Sequence, residues 1–388
     1  MTIRNLAWML VLAVLPLCFS SWASAAPVDQ AYARAKATFA QRSPLPLDEA
    51  VLEAPWVQAP FDQAPFTYTY AEIESNWPRF MRGLQLPFPS PEYLKSRYQR
   101  FPALYRDLRY QDDDWEQHSR NVLEVWQAFF RGDLRHARDL GRQYGGYARV
   151  PAMVSQIIYA TYLAPTQTQK QQLLQQTINE MAWFGENAPV LPGDEPLEGD
   201  YCMVRLGFGY AVARLAEDES VPAMLQRNYA PMVINAATEM LGVEPQHPLA
   251  LSLYAAFEAN VLRRVGKAAG RLTLDADSRD ATELFETSVK KVPDLAIVRY
   301  EYANSLLYTF HDERAQQAIA QLMLAAQLPA EYSMEWLDRA YARKRLKEVQ
   351  AWVASGMSFG RFDRKRRKYM AKGDRNLYAV NQPPFLVN

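Results

Sequence analysis

The 388-residue sequence predicts an all-α protein, with antiparallel helical hairpins wound into a superhelix behind an irregular, proline- and aromatic-rich N-terminal segment. Two observations carry that prediction. From Asp113 onward apolar residues recur at helical spacing, and each run stops at glycine or proline, the residues that end helices. Further along, Ala281, Phe285, Ser288 and Pro293 set out a small, large, small, proline pattern that Ala318, Leu322, Ala325 and Pro329 nearly repeat. The two prolines stand 36 positions apart, a period suited to stacking one helical hairpin per repeat.

Four regions follow in chain order: 1–25, 26–112, 113–355 and 356–388. The first reads as an export signal. Arg4 precedes an apolar run from Leu6 to Phe19, and Ala23, Ser24 and Ala25 supply the small residues a signal peptidase needs. The run is short for a membrane span and contains Pro16. Cys18 follows Leu17 rather than a small residue, which argues against lipid attachment. Cleavage after Ala25 leaves Cys202 as the one cysteine, so no internal disulfide forms and an apolar core must hold the fold. The expected location is outside the cytoplasm, in the periplasm if the source is Gram-negative.

Region 26–112 concentrates proline. Between Pro27 and Trp115 lie 11 of the 25 prolines, and around them Trp56, Phe61 and Phe66 alternate with Pro55, Pro60 and Pro65. Each proline removes a backbone donor and restricts its predecessor, which excludes a long helix. An extended strap whose aromatics pack onto the helical body is expected. Short helices are expected over 70–84 and 91–108, the second with Ser90 as N-cap and Pro91 at its first position.

In region 113–355, Val122, Val125, Trp126 and Phe129 share one helical face, Gly132-Asp133 turns the chain, and Ala137, Leu140 and Tyr144 line the return. Pro165 and Pro189 end the next two helices, and 190–200 reads as an acidic loop. Pro231 kinks or splits a later helix. A small-residue-rich inner helix spans 248–266, and KAAGRLTLDADSR is inserted after it. The long helix over 331–354 is expected to cap the array with a charged outer face.

The span from about Trp115 to Val353 resembles a bacterial tetratricopeptide-repeat-like (TPR-like) family with exported members. The resemblance rests on WQAFFRGDLRHARDLG, IIYATYLAP, LGFGYAVARLAE, RVGKAAGRLTLDAD, VRYEYANSLLY and EWLDRAYARKRL. In layout the chain is also similar to TPR-like components associated with TRAP-type solute transporters. No activity comes with either likeness. The repeat register implies that the first helix of each repeat lines a concave groove. Tyr300, Asn304 and Tyr308 are then four apart on one face, with Ser252, Asn260 and Trp336 at matching positions of neighbouring repeats. Such a surface suits a protein or peptide partner, and implies a non-enzymatic binding or scaffolding protein. The alternative is a solute-binding or transport accessory component, where a closed cavity between helices replaces the groove.

A third class is the helical toroid that cuts polysaccharides, for which Glu217, Asp218, Glu219 and the loop 194–200 supply carboxylates. No catalytic residue is assigned. Gly207-Phe208-Gly209 lacks the third glycine of a dinucleotide loop, and there is no Gly-x-Ser-x-Gly, His-Glu-x-x-His or phosphate-binding loop motif. The four histidines are far apart, and the acids beside His118 suit a helix start, so neither metal nor cofactor is expected. With 43 basic and 43 acidic residues, nucleic acid is not an expected partner. The tail is locally basic: Arg361 to Arg375 holds eight basic and two acidic residues. Arg364, Lys365, Arg366, Arg367 and Lys368 form either a solvated terminus or a docking patch for anionic lipid or an acidic partner.

Overall fold

Helical hairpins bury one face per helix, and a curved row of them must leave its first and last inner helices uncovered unless the row closes. Here it closes. The computed structural model describes residues 45–105, 107–108, 114–187, 199–217, 219–274 and 276–370. Three short helices come first: α1 (Glu49–Leu52), α2 (Tyr70–Phe80) and α3 (Pro91–Arg100). Five hairpins follow. They pair α4 (Trp115–Arg131) with α5 (Leu134–Tyr144), and α6 (Arg149–Tyr162) with α7 (Gln167–Asn187). Next, α8 (Gly199–Ala216) pairs with α10 (Tyr229–Val243), across the short α9 (Val221–Gln226). The inserted KAAGRLTLDADSR stretch contributes the short α12 (Lys267–Leu274), between α11 (Pro248–Val265) and its partner α13 (Ser278–Lys291). Then α14 (Ala296–Phe310) pairs with α15 (Ala315–Gln327), and α16 (Ser333–Ala354) and α17 (Phe359–Met370) end the described chain.

The inner helices α4, α6, α8, α11, α14 and α16 touch in succession, and α16 touches α4 again. Among the described residues no strand occurs, and no helix is long and apolar enough to cross a membrane. The all-α hairpin architecture is therefore the one read from the sequence.

Local chemistry explains most boundaries. Thr69 and Glu72 cap α2 reciprocally, and Ser90 caps α3 with Pro91 just inside. Both helices stop earlier than expected; Pro102 bars α3 from continuing and a 3-10 turn, Pro102–Tyr105, takes over. Pro231 falls in the first turn of α10, where a missing N–H costs nothing, so the segment is split there rather than kinked. Gly132 turns α4 into α5 at φ +93°, and a Cβ there would lie 2.8 Å from the Phe61 ring. The repeat pattern has a packing cause. Ala281, Phe285 and Ser288 are fully buried on one face of α13, and Ala318, Leu322 and Ala325 on one face of α15.

The long helix α16 does not cap the array with a charged outer face. Its Glu335, Asp338, Arg345 and Glu348 point inward and are buried. It closes the ring end to end: the Ser333 hydroxyl donates to the Phe129 carbonyl at the end of α4 (2.6 Å), and Tyr332 packs among Phe80, Phe129 and Phe130.

The strap crosses this closure. Trp56 stacks on Tyr159 at 3.9 Å under the Arg138 guanidinium, while the Val57 N–H donates to the Tyr159 hydroxyl (3.0 Å). Phe61 packs on Trp336 at 4.7 Å, and the Tyr68 hydroxyl donates to the Glu331 carbonyl (2.5 Å). Arg82 pairs with Asp294 (3.0 Å) and with buried Glu335 (2.6 Å).

Residues 359–370 are a docked helix rather than a solvated tail. Phe359 and Phe362 are buried against Trp352. Arg366 pairs with Glu348 (2.7 Å), and Asp363 takes Arg263 (2.5 Å) and Arg367 (3.1 Å). Arg364, Arg367 and Lys368 remain on the surface and Lys365 is half-buried. Residues 371–388 lie outside the described residues.

Candidate functional site

Two inner helices, α8 and α11, carry small residues where they approach the centre. Ala213 and Ala216 on α8 face the same space as Ser252 and Ala256 on α11, while Gly207 borders it and owes its small size to Met181, which a Cβ there would overlap. Short side chains there leave a cavity of about 260 Å³. Its walls are apolar: Val154, Ile157 and Ile158 from α6, Leu206 from α8, Leu253 and Phe257 from α11, and Ile297 and Val298 from α14. The short α9 and the start of α10 form an outer wall through Met224, Leu225 and Tyr229.

Polar groups gather on one side of this apolar space. The Tyr162 hydroxyl donates to Asp338 Oδ1, joining α6 to α16 across the ring. Arg214 donates to Glu217 (2.5 Å) and to Glu301 on α14 (2.5 Å), and its guanidinium lies 4.7 Å from the Tyr210 ring centre. Arg264 is held by the Ala216 (3.1 Å), Glu217 (2.7 Å) and Glu219 (3.0 Å) carbonyls. These carbonyls surround the C-terminal end of α8, where the helix dipole favours a cation.

Burial sets the protonation of the site. Asp338 is only 3 % exposed. Burial pushes its carboxyl up to about 7; the Tyr162 hydrogen bond and Arg214 pull it down, and Glu335 and Glu301 add to the rise. Burial also raises Glu217, but Arg214 and Lys170 outweigh it and hold this partly exposed carboxylate at about 2. Arg214 is held firmly charged, because Glu217, the Tyr210 phenol and Glu301 more than offset its desolvation. The site thus pairs fixed charges with one carboxyl poised near neutrality.

The predicted groove residues divide into two groups. Ser252 and Asn260 do line the cavity. Ser252 shares a hydrogen bond with Ser288 (2.8 Å), and the Asn260 amide donates to Ala256 O one turn back (2.9 Å). Tyr300, Asn304 and Tyr308 are buried instead of lining a solvent-open groove. The protein's own last helices cover their face: Tyr300 packs on Tyr341, Asn304 accepts from Arg345 (2.9 Å), and Tyr308 lies beneath Arg263 and beside Phe359. Trp336 sits in the ring closure against Phe61. Asp114 caps α4 through the Gln117 N–H (2.9 Å). His118 is buried beside Tyr105 and Trp115, where burial lowers it to about 4. Of the acids considered for polysaccharide cleavage, Glu217 reaches the cavity; Asp218 and the side chains of 194–200 lie outside the described residues.

Sequence reasoning missed Tyr162, Tyr210, Arg214, Glu301 and Asp338. The available signal was local: Tyr210 and Arg214 stand four apart and Arg214 and Glu217 three apart, so each pair shares a helix face. Nothing local joins Tyr162 to Asp338. No family model, curated protein or solved structure matches the chain. The fold and the cavity define it on their own terms, as an all-α ring of helical hairpins around an apolar cavity with a charged side.

Proposed function

We propose that the protein is an exported, TPR-like small-molecule-binding protein that holds a predominantly apolar ligand in the ring cavity and catalyses no reaction on it. The observation that carries this reading is the cavity itself. Its roughly 260 Å³ approaches the ~300–1,000 Å³ of small-molecule sites. An apolar ligand body would displace water from these walls, gaining about 25 cal/mol per Å² of apolar surface covered. Apolar walls with a few converging polar groups are the usual composition of such sites.

This reading replaces the peptide groove with the solute-binding alternative, because α16 and α17 already occupy the face that a peptide would use. On this reading the chain is an accessory binding component rather than a scaffold. The test is titration of the purified protein with the apolar fluorophore N-phenyl-1-naphthylamine, and of Ala256→Phe, which fills the cavity. Saturable fluorescence enhancement that Ala256→Phe abolishes, with its circular dichroism unchanged, is expected. Equal enhancement in both proteins would overturn the reading.

A further inference from the structure

The ligand's polar end is also legible, if the cavity reading above holds. We propose that the occupant carries a cationic head, a protonated amine on an apolar body, seated against Asp338 and Glu301. Three carboxylates border the cavity: Glu217, Glu301 and Asp338. The arginines beside them are already engaged. Arg214 is shared between Glu217 and Glu301, and Arg264 between three carbonyls at the end of α8. An anionic head would find two carboxylates competing for Arg214 and would meet Asp338 unshielded. A cation finds Asp338 with no basic side chain in contact, and Glu301 with one arginine that it shares with Glu217.

Asp338 gives the site its direction. It is buried and lines the cavity, and its Oδ1 accepts from Tyr162. Among the described residues Tyr162 is the one group that hydrogen-bonds this carboxyl and no basic side chain pairs with it, which leaves its other oxygen able to accept from an occupant of the cavity. An ammonium group can donate there and toward Glu301, supplying a charge that no side chain of the site brings to Asp338 by direct contact. A buried charge pair with hydrogen bonds on both sides is the arrangement in which such contacts gain most.

The proposal has a proton signature. The groups facing Asp338 are Tyr162 from α6, Tyr210 and Arg214 from α8, Glu301 from α14, and Tyr332 and Glu335 at the start of its own helix. Without a ligand its carboxyl is half-protonated near 7. A bound ammonium ionises it, so binding expels a proton. Affinity then rises about tenfold between about pH 6 and about pH 8.

Three probes with one chain separate the head from the body: decylamine, decanol and decanoate, each titrated calorimetrically and by displacement of N-phenyl-1-naphthylamine. Decylamine should bind at least tenfold more tightly than the other two. Asp338→Asn should bring it to the decanol level without changing decanol itself, and Glu301→Gln should weaken it severalfold. Binding that survives in Ala256→Phe would mean adsorption outside the cavity, and would overturn the proposal. Decanoate at or above decylamine, or an Asp338→Asn protein with unchanged amine affinity, would sink the cationic head while leaving the apolar cavity standing. If neither the fluorophore nor any probe binds, the cavity reading itself falls.

Discussion

Asp338→Asn should stabilise the ligand-free protein near neutral pH and flatten part of its pH dependence. In the unfolded chain the carboxyl titrates near its ordinary 3.8; folded, it is pushed up to about 7. Below the lower value both states carry the proton and the residue contributes nothing. Between the two, folding must retain a proton that the unfolded chain has released, so stability falls as pH rises. Above about 7 the loss is complete. Three units at about 1.4 kcal/mol each give a cost on the order of 4 kcal/mol at neutral pH. Asparagine keeps the shape and still accepts from Tyr162, but has no charge to desolvate. Urea denaturation of both proteins from about pH 4 to about pH 8 reads the residue together with Glu335, which burial raises and which acts on Asp338, while Glu348 and Asp363 contribute equally to both. The difference between the two curves should open by a few kcal/mol across this window. Parallel curves would show that Asp338 is ionised and compensated in the native state, refuting the electrostatic account of the cavity.

Arg82→Ala removes the partner of Glu335, a carboxylate only 3 % exposed at the start of α16, and should cost ~3 kcal/mol in urea denaturation. Gly132→Ala forces a Cβ onto a residue at φ +93° and into the Phe61 ring. The left-handed strain alone costs on the order of 1–2 kcal/mol, so a fall of at least that size in thermal or urea stability is expected.

Residues whose roles are local were legible in the sequence. Phe285 announces a buried helical face because alanine and serine flank it at helical spacing, and it is fully buried, stacked on Tyr302 at 5.4 Å. The Trp56, Phe61 and Phe66 strap was readable because proline excludes helix and aromatics seek cover. Tyr300, Asn304 and Tyr308 were placed on one face, as they are; what covers that face was not visible. Ring closure decides it, and closure depends on curvature summed over many hairpins, which no single repeat encodes. The same holds for Asp338: 176 residues separate it from Tyr162, and only the completed ring brings them together. A charged helix such as α16 also reads as solvent-facing whenever its partners are distant in the chain.

An open array of helical repeats frays from its ends, because each repeat is held only by its neighbours. Among the described residues the first and last inner helices of this one touch instead. The Tyr68 hydroxyl reaches the Glu331 carbonyl across 263 positions, and the strap lies over the seam. Closing a loop of that length costs about 5 kcal/mol of chain entropy, from the (3/2)RT ln n scaling alone. The seam forms favourably only once the intervening hairpins are in place to shorten the path. Unfolding should therefore be all-or-none across the ring rather than a progressive unzipping, and a chain truncated before α16 would lose the wall that carries Asp338 along with the clasp that holds the first hairpin to the last.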